Sequence, residues 1–246
     1  MKKRDLLLGA AALLLVWQIV SWLVDEAILP GPIIVGQTFI EELGNGLAGH
    51  FLSSTWRVLA SIGLAVSMAA PAGLALGQSE RLNRIFSPII YMLYPIPKVV
   101  LVPIVLLLFG IGDFPKIVII FLILFFQILV LVRDSAASIE PKTLLSVRSL
   151  GAGRRALFRY VYFPATLAAI LTALRQSVGT AVAVLYIAEL FATQKGLGYY
   201  IYLKGNTLFN YPAMYAGVVA MSLLGLGLYF TVDRLEHYLC PWRFVE

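Results

Sequence analysis

The sequence predicts an all-α, polytopic membrane protein with about six transmembrane helices and a two-helix loop on the cytoplasmic side. Three observations carry that prediction. Of 246 residues, 60% are hydrophobic and only 13% charged, where a soluble domain carries roughly 25% charged residues; mean hydropathy is +0.88. Several uncharged runs are long enough to cross, as helices, a bilayer core of about 30 Å. Basic residues are also shared unequally between alternate loops, as orientation in a membrane requires. We expect one transmembrane domain over 1–246, with helices near 6–24, 57–79, 87–112, 115–132, 165–189 and 213–233 and a soluble loop over 134–163.

The first run follows Met1-Lys2-Lys3-Arg4 and ends near Trp17 and Trp22, before Asp25-Glu26. Tryptophans at the far end act as interfacial anchors, and no small-x-small cleavage site follows. It reads as a transmembrane helix with a cytoplasmic N-terminus, not a cleaved signal. Ile28-Leu29-Pro30-Gly31-Pro32 is then a turn, and 35–43 a short amphipathic helix on the outer surface, carrying Glu41-Glu42.

The second run, 58–79, is uncharged and crowded with small residues, among them Ala65, Ala69, Gly73 and Gly77. Small residues let helix backbones approach closely, and such packing drives association in lipid. This helix is therefore expected at the centre of a bundle, with Pro71 a candidate kink. The third, 85–112, is interrupted by Pro88, Pro95, Pro97 and Pro103. Prolines at this density break a helix and free carbonyls that need protein, water or ligand as partners. Lys98 lies within it. A turn at Gly110-Ile111-Gly112-Asp113 leads into the fourth, and a fifth runs over 165–189. A polar outer segment rich in Gly and Tyr, 191–212, precedes the last helix, which ends before Arg234.

On this topology thirteen basic residues fall inside: Lys2, Lys3, Arg4, Arg81, Arg84, Arg133, Lys142, Arg148, Arg154, Arg155, Arg159, Arg234 and Arg243. Three fall outside, Lys116, Lys195 and Lys204, while Arg57, Lys98 and Arg175 sit at a boundary or in the membrane. That asymmetry sets both termini in the cytoplasm and assigns the net charge of +6 to the membrane, not to nucleic acid. Cys240 is the single cysteine, and His50 and His237 lie far apart. No disulfide framework, metal-ligand cluster or catalytic set is visible.

The central loop has its own grammar. Pro141 can open a helix at its first turn, and Leu144, Leu145, Val147 and Leu150 give it an apolar side among basic residues. Gly151 is placed to end it in a left-handed conformation. A second short helix is expected from Arg154 to Phe163-Pro164, so that two helices joined by a glycine make a rigid knob. The plainer reading is a solvated basic loop.

At this loop the chain resembles the inner-membrane permease subunits of ATP-binding-cassette (ABC) importers that work with a binding protein. Their signature is Glu-Ala-Ala, three residues, Gly, nine residues, then Ile-x-Leu-Pro. Gly151 and Val161-Tyr162-Phe163-Pro164 fall at that spacing, while Leu145-Ser146-Val147 stand where the family has Glu-Ala-Ala. The run from Pro97-Lys98 through Phe109-Gly110-Ile111-Gly112-Asp113, the turn at 28–32, Ala188-Glu189-Leu190 with Gly196-Leu197-Gly198-Tyr199, and Pro241-Trp242-Arg243 are similar to the nitrate, sulfonate, taurine and bicarbonate branch.

The resemblance implies a multi-pass protein of the bacterial inner membrane, with a second copy of itself as partner. It also implies two ABC ATPase subunits and a periplasmic or lipid-anchored substrate-binding protein, with lipid around the assembly. The ATPase-coupling residues it implies are Leu144, Leu145, Val147, Arg148, Gly151, Ala152, Arg154 and Pro164. Gly196, Gly198 and Tyr199 become candidate contacts for the binding protein, and a small anion such as sulfonate, nitrate, taurine or bicarbonate the implied substrate. The chain has no Gly-x-x-x-x-Gly-Lys-Ser/Thr loop, so ATP and magnesium are expected on the partner ATPase and no cofactor on this chain.

Three charged residues are pathway candidates. Arg175, a charge inside the fifth helix, requires protein or a cavity around it; it either attracts anions in a path or serves structurally, as partner to a carbonyl or snorkelling to the inner surface. Glu189, at the outer end of that helix, either caps the exit or meets the binding protein. Lys98 sits on the proline-broken span. Tyr199, Tyr200 and Tyr202 read more readily as an interfacial belt than a gate, and His237 and Cys240 as tail residues. A self-sufficient secondary carrier or channel, and an intramembrane enzyme, are the competing classes. The first predicts transport without an ATPase, and the second needs a convergent acid/base or metal set.

Overall fold

The computed structural model describes residues 3–191 and 193–243, and among these there are helices and no strands. Lys2, which the charge tally places inside, lies outside the described residues. In order the helices are α1 (Lys3–Val24), α2 (Pro32–Glu42), α3 (Ala48–Gln78), α4 (Glu80–Leu93), α5 (Val102–Phe109), α6 (Asp113–Ala137), α7 (Pro141–Ser149), α8 (Arg154–Leu157), α9 (Phe163–Leu190), α10 (Leu197–Tyr202) and α11 (Tyr211–Leu239). Five helical stretches are long and apolar enough to cross a membrane: Leu7–Val24, Pro32–Gln78, Asp113–Ala137, Arg154–Leu190 and Tyr211–Leu239. Glu80–Leu93 and Lys98–Phe109, bent by 76°, make a sixth if counted as one broken span.

The chain divides into two compact units, Met1–Ser54 with Glu189–Leu224 and Thr55–Ala188 with Gly225–Glu246. In the first, α1 presents apolar side chains outward along its length, Leu7, Leu13 and Leu23 among them. Its far end is tied down: Trp17 Nε1 donates to Pro30 O at 3.2 Å and Ser21 Oγ to Leu29 O at 2.9 Å. Trp17 therefore points into the protein, while Trp22 is 71% exposed, as an interfacial anchor would be.

In the second unit α6 is the centre. Ile119, Ile120, Leu124, Ile128 and Val132 are all buried on it, and the small residues of α3 lie against it. A Cβ on Gly73 would stand 2.8 Å from Leu129 O, and one on Gly77 2.6 Å from Arg133 O. No side chain fits there, so these two glycines set the α3–α6 distance. Pro71 lies inside α3, which runs unbroken.

The third membrane run breaks at its prolines, as expected, into two helices, because Pro95 and Pro97 withhold the donors a continuing helix would need. Two expectations need correction. The soluble loop, expected from 134, starts later: α6 continues to Ala137 and buries Arg133 and Ala136. The second loop helix is no separate element either; helical structure from Arg154 leads directly into α9. Pro164 does not stop it because the preceding turn is widened. Phe163 N–H donates to Phe158 O, five residues back, and π-type turns of this sort absorb such irregularities.

Candidate coupling face and transport residues

The loop residues form a compact face in the second unit. Pro141 occupies the first turn of α7, and the helix stops at Gly151, whose φ of +82° suits glycine; its N–H returns to Arg148 O at 2.9 Å. Leu157 is buried and fastens the second arm. Apolar groups nonetheless point outward: Leu145 is 62% and Leu150 87% exposed, while Leu144, Val147 and Ala152 are half-buried. Arg148 and Arg154 line a cavity of about 510 Å³ with Gln78, Ser79 and Tyr162. An apolar, guanidinium-rimmed knob has the composition of a protein interface, where charge is thinned at the centre and arginine is enriched.

At the bend between α4 and α5, Lys98 Nζ donates to Leu93 O at 2.8 Å and to Tyr94 O, carbonyls at the end of α4 that lie beyond its intrahelical ladder; Leu93 O also accepts from Ile96 N–H at 3.3 Å. The ammonium also lies 4.7 Å from the Phe126 ring centre.

Arg175 is partnered by acid. Its Nη1 meets Asp233 Oδ1 at 3.0 Å and Glu236 Oε2 at 3.1 Å. Glu236 is fully buried and also receives Thr172 Oγ1 and Arg243 Nη1. The structural reading of Arg175 names a carbonyl or the inner surface as its partner; the partners present are the carboxylates of Asp233 and Glu236. His237 contributes Nδ1 to Asp233 O at 2.8 Å. Cys240 is no loose tail residue; it is completely buried, and burial, with Glu236 nearby, raises its thiol pKa.

The Gly/Tyr-rich segment is locked down within the first unit. Glu189 is fully buried, so it is not a surface contact. It accepts from Ser54 Oγ at 2.8 Å and from Gly198 N–H at 2.9 Å. Ser54 Oγ also accepts from Leu197 N–H, and His50 Nδ1 lies 3.0 Å from both Gly196 N and O. Gly196 and Gly198 are buried fasteners; Tyr199 is half-buried beside His50. Tyr200, read as a belt residue, is instead 2% exposed and donates to Glu42 Oε2 at 2.8 Å. Burial, then the Glu42 carboxylate, pushes its phenol far above the ordinary range. Lys204 pairs with the same carboxylate at 2.9 Å.

Two further charged sites escaped the sequence reading. Arg57 is buried and binds Asp113 through both Nε and Nη2, at 2.8 and 2.7 Å. Lys116, counted as an outer charge, is 1% exposed and donates to Gly112 O at 2.7 Å. The available signal for the Arg175 cluster was the pair Asp233 and Glu236, acids at i and i+3 on one helix face.

Comparison with known proteins follows the same lines. The family model for the binding-protein-dependent transport system inner membrane component matches residues 61–244. The taurine transport system permease protein of Escherichia coli (strain K12) is 30% identical over 241 residues, covering 95% of this chain and 87% of that one. The formylaminopyrimidine transport permease protein of Halalkalibacterium halodurans is 32% identical over 234 residues, covering 94% and 92%. A putative aliphatic sulfonates transport permease protein of Bacillus subtilis is 28% identical over 240 residues, covering 96% and 87%. Inward-facing structures of the MetNI methionine ABC transporter share the fold, with a TM-score of 0.67, 19% identity, and coverage of 81% of this chain and 98% of that one.

Proposed function

Because the chain belongs to the binding-protein-dependent transport system inner membrane components, and is thus a multi-pass ABC transporter permease, we propose how it couples and what it carries. Two ATPase subunits, which carry ATP and magnesium, grip the face made by α7, Gly151 and α8. Leu144, Leu145, Val147 and Ala152 supply apolar contact, and Arg148 and Arg154 the rim. Pro164 lies where the loop enters α9, so motion of the face is passed directly into a membrane helix.

The permease pairs with a second copy, both termini are cytoplasmic, and lipid surrounds the exposed side of α1. A periplasmic or lipid-anchored binding protein delivers substrate to the outer side, near Tyr199 and the exposed Gln194–Lys195 stretch. The substrate is a small anion of the taurine or sulfonate kind, the cargo named for two of the relatives. Lys98 lines the path; Arg175 and Glu189 hold its walls.

The observation that carries this reading is the family match over 61–244, which spans the knob and everything it joins. Co-purification from native membranes tests it: the ATPase should come with the permease, and its hydrolysis should rise with loaded binding protein. Gly151→Pro, or Leu145→Asp, should abolish that stimulation while the permease still inserts. Undiminished coupling in both variants would refute the proposed grip.

A further inference from the structure

A cavity of about 290 Å³ opens beside the bend between α4 and α5, wholly within the second unit. Its walls include Ile123, Phe126 and Val184, which are apolar, and Lys98, Gln127 and Thr180, which are not. Two of Lys98's three donors are used by the carbonyls of Leu93 and Tyr94. Its charge has no carboxylate partner among the described residues. Gln127 Oε1 is buried with no hydrogen-bond partner among those residues. A buried acceptor left unbonded is costly, and so is a cation in a membrane span unless it faces protein or a water-filled path. Both groups belong to one cavity, and both lack the same thing: something small that brings a negative charge and a donor.

We propose that this cavity is a subsite for a small organic anion that also carries an N–H donor, an aminosulfonate or amino-carboxylate of a few carbons. Lys98 Nζ holds the acidic group, Gln127 Oε1 accepts from the nitrogen, and Ile123 and Phe126 cover the carbon chain. The subsite rests on the reading of the chain as a solute path, and it adds what selects the solute.

The test places a thiol in the cavity of the full permease–ATPase complex. Thr180→Cys is exposed on α9, while the native Cys240 is fully buried, so the parent complex serves as the blank. Rates of modification by the 2-sulfonatoethyl and 2-(trimethylammonium)ethyl methanethiosulfonates are each normalised to the rate with free mercaptoethanol. The anionic reagent should be favoured roughly tenfold or more, the scale on which a charged cleft concentrates ions. Lys98→Met should bring the ratio near one, and Lys98→Arg should restore it. Taurine and β-alanine should protect the thiol better than ethanesulfonate and propionate, and Gln127→Leu should erase that difference. A ratio near one in Thr180→Cys itself, a ratio indifferent to Lys98→Met, or no protection by either amino acid would overturn the proposal. Charge selectivity without ATP-driven uptake would leave the subsite standing and remove the transport reading instead.

Discussion

Arg57 and Asp113 show what a single residue does in this molecule. The guanidinium is buried, whereas the carboxylate is half in solvent, so the pair closes the α3–α6 contact at one end and neutralises a charge that lipid would reject. Hydrogen bonds to charged groups contribute about 1.5–3 kcal/mol. Asp113→Asn should lower the stability of the detergent-solubilised protein by about that amount, read as a fall in Tm. Glu189 acts similarly on the Gly/Tyr-rich segment. Glu189→Gln keeps the shape and removes the charge that Ser54 and Gly198 serve. Amide exchange over 196–202 should then accelerate while α6 stays protected; equal protection in both proteins would assign the loop's order elsewhere. At this scale the sequence was least legible. Glu189 and Lys116 are polar residues next to glycine-rich turns, which from composition alone reads as solvent. Glu189 is held by Ser54, 135 residues away in the chain, and periodicity carries no information about that; Lys116 Nζ turns back to Gly112 O at the start of its own helix.

At the scale of elements the sequence was more legible, for reasons that differ between elements. The small residues of α3 announced a close neighbour, and Gly73 and Gly77 meet α6 backbone. Overpacking a tight contact costs about 1–3 kcal/mol, so Gly77→Ala should destabilise by that order. Gly227, whose Cβ would meet nothing, should tolerate alanine without loss. Thermal unfolding of the two variants decides the matter, and equal effects would contradict the packing assignment. The prolines at 95 and 97 marked the break before α5 but not its angle of 76°. Gly151 marked the end of α7 through its need for positive φ. The merging of α8 into α9 was illegible because Pro164 is a stop signal in sequence; only the widened turn at Phe158–Tyr162 makes room for it.

For the whole molecule, composition and alternating apolar runs settle the class, since 13% charge leaves no other solvent for so many exposed leucines. Coupling is a property of the assembly. The knob carries exposed Leu145 and Leu150, apolar surface that the proposed grip by an ATPase subunit would cover. The most direct measurement is uptake of radiolabelled taurine into proteoliposomes containing the permease and its binding protein, with and without the ATPase and ATP. The account predicts uptake only when ATPase and hydrolysable ATP are both present, and its loss with Leu145→Asp. Full uptake by the permease without the ATPase would contradict it.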